Sequence, residues 1–213
     1  MQDRTSQGEG GALWRTAQAL NRVADLTKPL PALLFFTDPA RVSDPVAIAE
    51  RLPRGSGVVF RGFGRPDEEQ IARDIAVIAK EAKLTLLIGF DAELAERCGA
   101  QGVHLPERAL CQGLALRSRR PDWILTGAAH GEAGLAAARA AGLDAAVLSP
   151  VFESRSPSAG EALGVAAFRA LTAAARLPVY ALGGITEATA TELAGSGAAG
   201  LAAIEGVLEA FGA

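Results

Sequence analysis

The sequence predicts a parallel (β/α)8 barrel of the TIM type, a single α/β domain preceded by a short N-terminal extension and an extra helix. Two patterns carry that prediction. From residue 33 onward, eight short apolar runs alternate with helical patterns, without a linker or a break in composition. The runs are apolar throughout rather than alternating, as in a parallel sheet whose outer face is covered by helices. Eight such units in about 180 residues suit a compact barrel. A doubly wound open sheet is the competing layout, but it usually carries GxGxxG after its first strand, and FFTDPAR (35–41) has none.

The elements follow in order. Residues 1–30 hold a polar tail, MQDRTSQGEGG, and the stretch LWRTAQALNRVADL. In that stretch Leu13, Trp14, Ala17, Leu20 and Ala24 recur at helical spacing, which predicts an amphipathic helix packed on the outside of the domain. A barrel over 31–213 then begins with LLFFTD (33–38), GVVFRG (57–62), TLLIGF (85–90) and GVHL (102–105) as strands. WILTGA (123–128), AAVLSP (145–150), PVYALGG (178–184) and GLAAI (200–204) complete it. Alanine- and leucine-rich stretches between them, such as 132–143 and 187–198, carry apolar residues at three- and four-residue steps and read as helices.

Composition narrows the function. The formal charge is -3 and no basic patch is concentrated along the chain, so neither nucleic acid nor an anionic membrane is an expected partner. Cys98 and Cys111 lack CxxC spacing or nearby histidines, so neither a disulfide framework nor a zinc site is expected, and a cytoplasmic setting fits. No apolar run reaches the roughly 18 residues a membrane span needs, and the first residues lack a signal peptide's apolar core. The sequence leaves monomer and homo-oligomer both open.

In a barrel the chemistry lies at the C-terminal ends of the strands. Both histidines, His104 and His130, fall there. His130, among small neighbours in GAAHGE, is the better acid/base candidate, since an imidazole can move a proton near neutral pH. Ser149 to Gly164 forms the longest polar loop between a strand and a helix, and its Ser154, Arg155 and Ser156 could donate hydrogen bonds to an anion. Gly183-Gly184 follows the seventh strand and Glu205-Gly206 the eighth, the frequent barrel site for a phosphate. Glu205 stands at the expected start of the last helix, where a phosphate would otherwise sit.

FFTD, GAQGVHL, SPVFESRSP, LPVYALGGI and GAAGLAAI resemble, in order and spacing, the strand motifs of thiamine phosphate synthase and its relative TenI, the thiazole tautomerase. The likeness spans about residues 33 to 208. It implies a thiamine-biosynthesis enzyme that joins a pyrimidine pyrophosphate to a thiazole phosphate with Mg²⁺, so its partners would be small heterocyclic phosphates. Arg61 matches a pyrophosphate-holding arginine, His130 the histidine to which TenI's proton transfer is assigned, and Gly183-Gly184 the phosphate-binding turn. The chain departs from the pattern elsewhere. Phe63 replaces a lysine, Gly89-Phe90 an Asn-Asp, Pro106–Ala109 the tract holding a second metal-binding aspartate, Ala128 a serine, and Glu205 a serine. Ser154-Arg155-Ser156 keeps the hydroxyls of a Thr-x-Thr-Lys loop but loses its lysine. Asp91 and Glu107 are the carboxylates nearest the family's metal ligands. These departures set three readings side by side: a synthase, a tautomerase using His130, and a barrel that binds without catalysis.

Overall fold

The computed structural model describes residues 11–154 and 160–212. Its centre is a closed barrel in which β1 (Leu33–Phe36), β2 (Gly57–Phe60), β3 (Thr85–Gly89), β4 (Gly102–Leu105), β5 (Ile124–Ala129), β6 (Ala145–Leu148), β7 (Val179–Ala181) and β8 (Gly200–Ala203) pair in sequence order. All pairs are parallel, and β1 closes the ring against β8 with Leu34 opposite Ala202. The strands are almost wholly buried, β1, β2, β4, β6 and β8 along their full length, which is why their sequences are apolar without alternation. Each strand except β4 and β5 stops before the end of its apolar run; at β1, β2 and β6 the residues beyond it, Thr37-Asp38, Arg61-Gly62 and Ser149-Pro150, open the βα loops.

The helices bury stripes against this sheet. In α3 (Glu68–Ala82), Ala72, Ile75 and Ala79 are buried at steps of three and four. In α6 (Glu132–Ala140) the stripe is Gly134, Leu135 and Ala138. Two helical expectations run too long. The pattern at 132–143 ends at Ala140 because Gly142 turns the chain at φ +68°. The pattern at 187–198 shrinks to α8 (Glu187–Thr191), with Gly195 and Gly197 at positive φ beyond it. α8 starts on a reciprocal cap between Thr186 and Thr189.

The N-terminal helix α1 (Ala12–Val23) lies against the barrel's own elements, α8 and β8 above all. Leu13, Trp14, Ala17 and Leu20 are its buried stripe; Ala24 falls just past its end. Asn21 ties it down by donating to the carbonyl oxygens of Ala199 at 2.9 Å and Leu30 at 3.3 Å. The polar tail at 1–10 lies outside the described residues. No helix among the described residues is long and apolar enough to cross a membrane.

Candidate active site

The C-terminal ends of the strands surround a cavity of about 170 Å³, walled by Phe36, Arg61, His104, His130, the Gly183-Gly184 turn and Glu205. Ser149 and Ser154 also reach it, and Ala128 leaves room beside His130. Arg155 and Ser156 lie outside the described residues.

Arg61 follows β2 and is held from three sides. Its Nε donates to the Thr37 carbonyl at 2.7 Å, and its backbone N–H donates to Thr37 Oγ1 at 2.8 Å. Its guanidinium lies 5.3 Å from the ring centres of both Phe36 and Phe63. Nη2 is buried without a hydrogen-bond partner among the described residues, 3.8 Å from Asp38 Oδ2. Burial withdraws solvation from this cation and pulls it down to about 10, with Asp38 opposing the fall and Arg41 adding to it. A buried donor without a partner, at the edge of a cavity, is suited to receive an anion.

Beside it runs a chain of charges that the sequence did not reveal. Arg41, on the loop after β1, donates to Asp38 Oδ2 from Nη2 at 2.8 Å and Nε at 3.2 Å, and to Glu205 Oε1 from Nη1 at 3.3 Å. Burial alone would raise Asp38. The hydrogen bonds from Arg41 and the Ala40 N–H, with the charges of Arg41 and Arg61, outweigh it and hold the carboxyl below its usual range. The i, i+3 spacing of Asp38 and Arg41 just past a strand end was the available signal. Glu205 opens α9 (Glu205–Phe211), as its sequence position suggested, and it is the second anion on Arg41. The corner formed by Asp38, Arg41 and Glu205 thus carries more negative than positive charge.

The two histidines have different fates. His104, on β4, is buried, pairs through Nδ1 with Thr126 Oγ1 at 3.0 Å, and meets the Phe36 ring edge-on at 4.9 Å. Burial, reinforced by the Arg61 charge, drives it down to about 3, so it stays a neutral hydrogen-bonding group of the cavity floor. His130, just after β5, is half-exposed, and its Nδ1 is 2.5 Å from Glu107 Oε2. Glu107 is the first residue of the 3-10 helix Glu107–Gln112 that follows β4.

Gly183 and Gly184 both take positive φ, +96° and +64°. A Cβ on Gly183 would lie 2.7 Å from Pro150 Cα, and one on Gly184 2.4 Å from the Glu153 carbonyl oxygen. The turn after β7 therefore packs backbone to backbone against the loop after β6, which leaves no space for side chains.

Both carboxylates considered for Mg²⁺ already have partners. Asp91 caps α4 (Ala92–Cys98), accepting the Leu94 N–H at 2.8 Å, and Glu107 serves His130. Among the described residues no group of three or more His, Cys, Asp or Glu side chains is gathered to hold a metal ion.

A barrel with a polar cavity at its strand ends, an arginine in its wall that keeps an unpartnered donor and a histidine–carboxylate pair on its rim, defines a small-molecule site of the kind TIM-barrel enzymes use. Residues 33–207 match the family described as thiamine monophosphate synthase, and the chain belongs to that family. It is 32% identical to the thiamine-phosphate synthase of Methanoculleus marisnigri over 67% of this chain and 69% of that one. It is 28% identical to the thiamine-phosphate synthase of Bacillus velezensis over 87% of both chains. The thiamine phosphate pyrophosphorylase of Pyrococcus furiosus shares the fold, with a TM-score of 0.70 at 18% identity over 87% of each chain.

Proposed function

We propose that this chain is a thiamine-biosynthesis enzyme that joins a pyrimidine pyrophosphate to a thiazole phosphate in the cavity at the strand ends. The observation that carries this reading is Arg61, whose buried Nη2 has no hydrogen-bond partner among the described residues and which stands at the wall of a cavity also lined by Gly183-Gly184. Departure of pyrophosphate leaves negative charge that must be met by fixed donors, and of the two arginines that line the cavity Arg61 is the less engaged by carboxylates. The names of the relatives support the same reaction. No step is assigned to Mg²⁺, since Asp91 and Glu107 are engaged elsewhere. Two cysteines without a disulfide suit a cytoplasmic setting. The test is to incubate purified protein with both halves, with and without Mg²⁺, and to measure thiamine phosphate. Formation of product supports the reading; tight binding of both halves without product replaces it with a non-catalytic binding barrel.

A second reading is favoured by the His130–Glu107 pair, which suits proton transfer on the thiazole half alone. His130→Ala should then abolish isomerisation of a thiazole carboxylate phosphate, and an unchanged rate rejects it.

Glu205 bears on both readings. Its carboxylate adds like charge beside the Gly183-Gly184 turn, so Glu205→Ser should tighten binding of a thiazole phosphate by about tenfold, close to 1.4 kcal/mol. Calorimetric titration reads this directly, and equal affinities would show that Arg41 already neutralises the carboxylate.

A further inference from the structure

The imidazole of His130 has a partner whose placement is too well prepared to be a chance contact on the rim. Glu107 and His130 each follow the end of a strand, β4 and β5, and these strands pair directly, with Leu105 opposite Gly127. Both side chains are therefore carried by the rigid part of the barrel. The 2.5 Å contact joins Glu107 Oε2 to Nδ1, which leaves Nε2 as the remaining ring nitrogen of a residue that lines the cavity.

A third residue prepares the seat. Gly134 is buried within α6, although glycine in a helix interior costs about 1 kcal/mol relative to alanine. A Cβ at this position would stand 2.9 Å from Glu107 Cδ and 3.0 Å from Glu107 Oε1. An alanine-rich helix thus yields one methyl group where the carboxylate of Glu107 lies. His104 cannot do the same work, being buried and bonded to Thr126.

We propose that Glu107 is the positioning residue of His130: its carboxylate accepts the Nδ1 proton, fixes the ring, and so presents an unprotonated Nε2 to the ligand as the proton acceptor. A neutral imidazole carries its proton on either nitrogen, and the hydrogen bond at one nitrogen decides which. The proton taken up at Nε2 gives an imidazolium that Glu107 stabilises, and its return to another atom of the same substrate leaves His130 unchanged. This deepens the proton-transfer reading of the cavity and rests on it for its kinetic consequence, but not for its structural one.

The test uses nitrogen NMR of protein labelled at histidine, at a pH where the rings are neutral. With two histidines in the chain, His104 serves as the internal reference. In the wild-type protein His130 should be the Nδ1–H tautomer. In Glu107→Ala it should shift toward Nε2–H, while Glu107→Gln, whose amide oxygen still accepts, should keep the wild-type form. Gly134→Ala, which pushes Glu107 aside without removing it, should move the tautomer as Glu107→Ala does. Where thiazole isomerisation is measurable, kcat should fall about 10- to 100-fold in Glu107→Ala with KM within about twofold. A His130 signal unaltered by Glu107→Ala overturns the proposal, and so does an altered tautomer with unchanged kcat. If no isomerisation occurs with wild-type protein, the proton-transfer reading fails, and the tautomer alone decides what Glu107 does.

Discussion

Arg61→Ala is expected to lower kcat/KM for pyrophosphate release about 100- to 1,000-fold while leaving the protein at least as stable as before. The two halves of this expectation have one cause. The guanidinium is mostly buried, its Nη2 finds no hydrogen-bond partner among the described residues, and its pKa is pulled down to about 10. A cation whose folded pKa lies below its unfolded value costs stability at every pH at which it is charged, and below about pH 10 the folded state bears that cost in full. Under the proposed function the cost has a return, since a desolvated donor gains most when an anion arrives. Truncation relieves the folded state and removes the donor, so thermal unfolding should show a Tm unchanged or a few degrees higher. Arg61→Lys should recover little activity, because lysine cannot keep both the 2.7 Å bond to the Thr37 carbonyl and a second donor for the anion. Steady-state kinetics and calorimetric titration with inorganic pyrophosphate would check it. A variant that loses stability but binds pyrophosphate normally would make Arg61 a structural residue.

The barrel was legible because its physics is local. A strand buried on both faces must be apolar at every position, and LLFF, GVVF and AAVL carry that mark without reference to the rest of the chain. Much of the site was legible for a different reason, since parallel topology assigns the chemistry to strand ends and so singles out Arg61, His104, His130 and Glu205. Contacts made by ring closure were not legible. Arg41 and Glu205 are 164 residues apart and meet because β1 pairs with β8. The sequence ranked His130 above His104 by its small neighbours but could not show the partners that set them apart: His104 is buried against Thr126 and loses its basicity, whereas His130 meets Glu107 at the cavity rim. Gly134 does carry a sequence signal, a glycine inside an alanine-rich helix, which indicates a neighbour that needs the space.

Asp144→Ala should cost about 2–4 kcal/mol and lower Tm by roughly 5–15 °C without altering the chemistry. Asp144 lies just before β6, at the end of the barrel opposite the cavity, with its side chain 9% exposed. Its Oδ1 meets Lys28 Nζ at 2.8 Å, and its Oδ2 accepts from Arg117 Nη2 and from the Leu125 N–H, both at 2.7 Å. The same two cations reach the Trp123 carbonyl, at 3.4 Å from Lys28 and 2.7 Å from Arg117. One carboxylate therefore joins the segment after α1, the end of α5 (Gly113–Arg119), and the starts of β5 and β6. Removing it leaves an amide donor without its acceptor and two cations facing each other. Both cations are a quarter to a third exposed, 25% and 30%, so water recovers part of the loss, which keeps the figure below that of a fully buried pair. Asp144→Asn keeps an oxygen for the Leu125 N–H and should lose about half as much. Thermal unfolding of both variants, with turnover assayed well below their Tm, separates the two ends of the barrel. A large fall in kcat at low temperature would mean that the β5–β6 end controls the cavity geometry, whereas a normal kcat with a lowered Tm assigns Asp144 to stability alone.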